Sequence, residues 1–320
     1  MNSELVNGLF AGRASATEAL AAATAGKVFD FDAPRDNLYA FGKIWGSYDE
    51  PVLSGYHGLM YARIGTQRLV PLFGYTGTGC MQSKIDDDGN VWIRGKETGY
   101  FTDLASGDIL ETWKNPWTGK TVEVFNFYNP AMGGRLTAEM PRFAMGAARD
   151  QPTLMNDGTH RNLGSSVPFL LPFETYGDDL LLAWDYAHEY TNPVTPERWP
   201  LASTGPRISP SEHFTFCMSL AEMRDRSVPS SRFMAGFSRL GQWWPWMRMG
   251  GHELAESGVV FGRMFSHKGL KGAGDIPPKV LAYIEKHAPE YLTVPDHWPN
   301  VNPHGTWEAF AREVPPEVPG

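Results

Sequence analysis

Residues 212–220 read EHFTFCMSL, and their alternation limits the fold more than any other feature of the chain. His213, Thr215, Cys217 and Ser219 share one parity; Phe214, Phe216, Met218 and Leu220 share the other. A period of two residues is that of a β-strand with unlike faces. Similar short runs, separated by Gly, Asn and Asp, predict strands at 38–46, 56–64, 68–75, 80–85, 90–95, 98–102, 108–113 and 121–127. Further runs predict strands at 168–176, 179–190, 212–223, 231–241 and 243–249. The stretches 86–90 (DDDGN) and 104–108 (LASGD) are turns by composition. Three consecutive Asp lack the alternating spacing and distal Glu of a calcium loop, so DDDGN reads as a solvated turn.

Helical text is confined to the ends. Ser15 and Glu18 have capping-box spacing before an alanine-rich run, and Gly26 can stop it, which predicts a helix over 15–26. The stretch 275–291 opens with Pro-Pro and predicts a second helix; a shorter one is expected over 306–312. Residues 130–165 read as loop-rich, and 191–211 as a long Pro-rich loop of the kind that forms lids or crossovers. The organisation expected is an N-terminal helical segment (1–30), one β domain (31–274) and a C-terminal helical, Pro-rich segment (275–320). Many antiparallel strands without a βαβ rhythm predict a mostly β fold, an antiparallel barrel with peripheral helices, with a β-sandwich as the alternative. Closure of a barrel would also remove exposed strand edges.

Charge and length bound the partners. The chain has 320 residues and a formal charge of −8, with no cluster of basic and aromatic residues, so no nucleic-acid partner is expected. Its apolar runs are too short to span a bilayer as helices, and its first residues do not resemble a signal peptide. With two cysteines, Cys80 and Cys217, the expectation is a cytoplasmic protein without membrane insertion.

Three familiar chemistries fail on spacing. The GYTGTGC stretch (74–80) lacks the following Lys-Ser/Thr and helix of a phosphate loop. HELAE (252–256) misses the last histidine of a zinc-protease helix. No Gly-x-Ser-x-Gly elbow occurs. No metal and no cofactor is expected. The remaining candidates are polar residues on strands. Asp185 shares its face with Leu181, Ala183 and Ala187, where desolvation would raise a carboxyl unless it is paired, so it reads as a general acid or base or as an ion-pair member. His213 reads as a pocket base or a hydrogen-bonded strand-end histidine. His57 and Glu174 are further pocket candidates, or else exposed strand residues. Trp243, Trp244 and Trp246 surround Pro245 and offer either an aromatic wall or a core plug, with Arg248 beside them to steady a carboxylate or enolate.

The hairpin ETWKNPWTGKTVEVFNFYN (111–129) has its turn at Asn-Pro-Trp-Thr-Gly. Trp113 and Trp117 anchor it, and Asn126 and Tyr128 fall in line with Val122 and Val124, where they can donate to a carbonyl or alkoxide or else belong to a structural hydrogen-bond network. Trp113, Asn115, Pro116, Thr118, Gly119, Val122, Val124 and Asn129, with the later WWPWMRMG and IPPKVLAYIEKHAPEYLTVP, resemble domain-of-unknown-function family 1838. The resemblance covers roughly 35–300 and implies a soluble, lipocalin-like (calycin-type) β-barrel from secondary-metabolite or catabolic settings. It transfers no catalytic residue.

The function expected is a cofactor-independent acid–base enzyme, a lyase or isomerase, acting on a hydrophobic aromatic, polyketide or terpenoid-like molecule. Asp185 or His213 would move the proton, with Tyr128, Glu174 and His57 in the catalytic set. Asn126, Trp113, Trp243, Trp244, Trp246 and Arg248 would bind the substrate. The alternatives are a binding protein with the same pocket and a hydrolase. A homodimer is compatible with the sequence.

Overall fold

The computed structural model describes residues 29–141, 153–154, 160–161, 166–187, 189–270, 272–299 and 305–318. The helix predicted over 15–26 lies outside them. Nine antiparallel strands form one large sheet. They are β1 (Val52–Ile64), β2 (Val70–Ile85), β3 (Val91–Thr102), β4 (Phe127–Leu136), β5 (Phe173–Tyr176), β6 (Asp179–Ala187), β7 (Ser211–Ser219), β8 (Phe233–Gly241) and β9 (Gly258–Lys268). The order is β5-β6-β7-β8-β9-β1-β2-β3-β4, so the chain meanders and β9 returns to pair with β1. The fold is mostly β, as expected. Among the described residues the edge strands β4 and β5 are not paired with each other.

Helix α1 (Pro34–Trp45) replaces the strand predicted at 38–46. Pro34 opens it, and Leu38, Phe41 and Trp45 recur at helical spacing. α1 lies against both halves of the sheet: Tyr39, Ala40 and Ile44 share a core with Leu180, Leu182, Phe216 and Met218, while Leu38 and Phe41 pack with Met81, Val91 and Ile93. Two buried lysines receive helix ends. Lys268 Nζ donates to the carbonyls of Lys43 and Gly46 at the end of α1, and Lys43 Nζ donates to those of Glu222, Met223 and Asp225 at the C-terminal end of α2 (Leu220–Arg224). Carbonyls left open at helix C-termini attract cations. Burial nevertheless lowers the Lys43 ammonium to about 8.

Several predicted strands change length. The runs 68–75 and 80–85 are one strand, β2, and 90–95 and 98–102 are one strand, β3. β4 crosses text read as loop, and β9 was not foreseen. The run 243–249 is a tight 3₁₀ turn at Pro245–Met247, because Pro245 cannot donate to a ladder. α3 (Pro278–His287) and α4 (Thr306–Glu313) match the C-terminal expectation. α3 covers the outer face of β3, where Tyr100 packs with Ile276, Val280 and Ile284.

The hairpin at 111–129 is present in its first part, Thr112–Lys114 paired with Thr121–Glu123. Asn115 builds its turn: Oδ1 accepts from Trp117 N (2.9 Å) and Thr118 N (3.2 Å), and Nδ2 donates to Met247 O (2.8 Å). Gly119 sits at φ +69, which a side chain tolerates poorly. Asn115→Ala is expected to cost about 2–3 kcal/mol, since it leaves buried backbone groups unpaired. Urea unfolding checks this, and a loss under about 0.5 kcal/mol would contradict it.

Candidate functional site

A cavity of about 420 Å³ opens on one face of the sheet. The inward parity is set by register. One row across the sheet runs Glu212, Arg239, Gly262, Met60 and Phe73; another runs Lys268, Ser54, Gly79, Glu97 and Asn129. Phe41, Ile44 and Trp45 of α1 contribute to the lining, as do Trp244, Trp307 and Glu308.

Polar groups cluster on this otherwise aromatic wall. The Tyr56 hydroxyl donates to Thr98 O at 2.6 Å and lies within hydrogen-bonding range of Tyr75 and Glu97. Gly77 and Gly99 make the space: a Cβ on either would strike the rings of Tyr56 or Tyr75. The Gly-rich GYTGTGC stretch is therefore a seat for tyrosines. Burial raises the Glu97 carboxyl to about 7; the Tyr56 hydrogen bond opposes this and the charge of Glu212 adds to it. Glu97 is removed from bulk water, and the part of it that stays accessible borders the cavity. Tyr56 has one proton to give, and Thr98 O competes for it. A protonated Glu97 can instead donate to Tyr56, which favours the neutral carboxyl.

Asn129 stands directly across the ladder from Glu97, and its Nδ2 is buried without a partner. Elsewhere on the same lining, Arg239 Nε donates to Glu212 Oε1 at 2.9 Å. The Arg239 guanidinium lies 5.2 Å from the Trp244 ring and 5.3 Å from the Trp307 ring. A carboxyl that titrates near neutrality, beside oriented donors in an aromatic cavity, can take up or give a proton at a bound molecule.

Of the residues expected from sequence, Trp244 lines this cavity. Trp243 and Trp246 are buried in the adjoining core with Trp113 packed against it, which is the plug reading. Asp185 and His213 do meet, with Nδ1 3.0 Å from Oδ1, and Ser211 Oγ lies 2.8 Å from His213 Nε2. They are on the outer face, with side chains 60% and 50% exposed, so their pocket placement is corrected by one register step. The Asp185→Asn change is expected to alter stability by under about 1 kcal/mol, as exposed pairs do, measured by thermal unfolding. His57 is exposed on the outer face of β1 against Phe265, and Glu174 is exposed at the edge strand β5. Tyr128 packs with Tyr100 and Tyr291 on the face away from the cavity. Asn126 is spent on the backbone, accepting from Phe101 N and donating to Leu110 O. Arg248 pairs with Glu317 and covers Phe310.

Tyr56, Tyr75, Glu97, Glu212 and Arg239 were not singled out by sequence, and Asn129 entered only as part of the family resemblance. The signal was present for Glu97: Val91, Ile93, Gly95, Glu97, Gly99 and Phe101 share one parity once β3 is read through without a break. Among the described residues no three His, Cys, Asp or Glu side chains converge to hold a metal, and no helix is long and apolar enough to cross a membrane.

Fold and cavity define a mostly β protein with a protonatable group in an aromatic chamber. The chain belongs to the DUF1838 family, proteins of unknown function, whose match spans residues 49–314. No curated protein matches it. Solved structures with some likeness include a triple mutant and another mutant of the Rhodopseudomonas blastica porin, each 8% identical over 69% of this chain and 99% of the porin, at a TM-score of 0.20. The Pseudomonas aeruginosa MucA/MucB complex structure gives 8% identity over 86% of this chain and 99% of the matched chain, at a TM-score of 0.12. Similarity that low gives no ground for a shared fold or function.

Proposed function

We propose that this protein is a cofactor-independent acid–base enzyme, a lyase or isomerase, on a hydrophobic small molecule held within the curve of a lipocalin-like, incompletely closed barrel. The observation that carries the reading is Glu97, raised to about 7 on the cavity wall with Tyr56 and Asn129 beside it. Ionised Glu97 would take a proton from a carbon next to a carbonyl. The electron pair moves onto the carbonyl oxygen, to which the unpartnered Asn129 Nδ2 would donate. Return of the proton at another carbon is isomerisation. Its delivery to a departing group, with loss of the bond to that group, is elimination. The aromatic lining supports an apolar substrate body and excludes competing water.

The test needs no knowledge of the natural substrate. Nitrobenzisoxazole opens when a base removes its ring C–H proton and the N–O bond breaks, and a carboxylate in a dry aromatic pocket accelerates this. The protein is expected to accelerate the opening with a rate that rises and levels near pH 7. No acceleration over free carboxylate, or a profile levelling near pH 4.5, would refute the assignment. Native mass spectrometry of gently purified protein complements it: a retained apolar molecule without turnover would favour the binding-protein reading.

A further inference from the structure

Arg239 is 8% exposed, lines the cavity, and is held on three sides: by Glu212 at Nε and by the rings of Trp244 and Trp307. Its Nη1 is buried and has no acceptor. A guanidinium N–H removed from water without a partner is costly, on the order of 1–3 kcal/mol or more. The cost is tolerated where a bound molecule supplies the acceptor. A second polar atom is left over on the same lining: Glu308 Oε2 is buried without a partner. Glu308 stands third in α4, where a carboxyl reaches back to the N-cap amide of Gly305, and burial raises it. The Tyr190 hydroxyl senses Glu308, Arg239 and Glu212 together, which places all four in one neighbourhood. The remaining lining, with Phe214, Phe216, Phe233 and Ile44, is apolar.

We infer that the cavity takes an amphipathic acid, an aromatic or polycyclic body bearing one carboxylate, whose oxygens accept from Arg239. This rests on the acid–base reading for the cavity as a substrate site and adds the class of substrate. Carboxylates are matched by the planar fork of arginine better than by a point charge. Glu212 holds the fork in place through Nε and acts as a positioning residue.

The test compares naphthylacetic acid with naphthylethanol, which has the same ring body and no carboxylate, by calorimetry on the full chain at pH 7. Wild type is expected to bind the acid at least tenfold more tightly than the alcohol. Arg239→Met is expected to remove that preference while changing alcohol affinity by less than about threefold, and Arg239→Lys to restore only part of it. Equal binding of acid and alcohol by wild type overturns the inference without any variant, so a poorly folded variant cannot shield it. Equal weakening of both ligands in Arg239→Met also overturns it. Nitrobenzisoxazole carries no carboxylate, so its opening by wild type reports Glu97 separately. No acid preference in wild type with that activity intact sinks the carboxylate subsite alone, and absence of both in wild type sinks the cavity as a reaction site.

Discussion

Glu97→Gln is expected to lower proton abstraction from nitrobenzisoxazole by about 10²–10⁴-fold, the usual contribution of a positioned general base. Glutamine keeps the size and hydrogen-bonding reach of the side chain and cannot take the proton. The same substitution should change stability with a defined sign. The Glu97 carboxyl is raised from an ordinary 4.5 to about 7 by burial. Below 4.5 it is neutral in both folded and unfolded chains, so burying it carries no charge penalty. As pH rises through the interval, the unfolded chain ionises first and gains. The stability contributed by the neutral carboxyl is therefore lost as pH passes about 7. Full expression of that gap corresponds to at most about 3 kcal/mol, because part of Glu97 stays accessible and screening discounts the shift. Glutamine does not titrate, so the variant should gain on wild type between pH 5 and pH 8. Urea unfolding at the two pH values measures the gap. A variant equally displaced from wild type at both would show that Glu97 titrates normally.

Phe73→Ala should be the most damaging single change in the core, at about 3–5 kcal/mol. Phe73 is fully buried, and its ring centroid lies 4.9 Å from Phe101, 5.7 Å from Trp113 and 5.5 Å from Trp246. These rings come from β2, β3, the Asn115 hairpin and the Pro245 turn, so no single element can relax into the void. Rigid aromatic neighbours leave a cavity rather than collapsing, and the cost grows with the residual volume. Denaturant unfolding should show a lower midpoint with an unchanged slope. A loss under about 1 kcal/mol would mean that the Trp cluster repacks, contrary to its buried, interlocked placement.

The two largest effects fall on residues of unequal legibility. Phe73 belongs to an apolar run that sequence reads as a strand in any register. Glu97 was hidden because the strands predicted at 90–95 and 98–102 left residues 96–97 between them. Glycine weakens an isolated strand, yet here Gly99 makes room for Tyr75 and Tyr56 from neighbouring strands. That reason lies in the sheet and not in the local text. The mistake at 38–46 is of the same kind: its aromatic and aliphatic residues suit either a strand or a helix, and packing α1 against both halves of the sheet decides between them.

What the sequence determined by itself is what local chemistry controls. Period-two alternation made the protein β-rich, Asn115 and Gly119 made a turn, and the Pro-Pro pair opened a C-terminal helix. The partnership of Asp185 with His213 was not foreseen as such, although both were singled out. Tertiary structure alone decided which parity of each strand faces the cavity, because a strand carries two faces and only its neighbours' register says which is covered. That choice moved Asp185 and His213 to the outer surface and brought Glu97, Asn129 and Arg239 inside. It also set their chemistry, since a carboxyl's proton affinity depends on the water it has lost and the charges it faces, and both are properties of the assembled sheet.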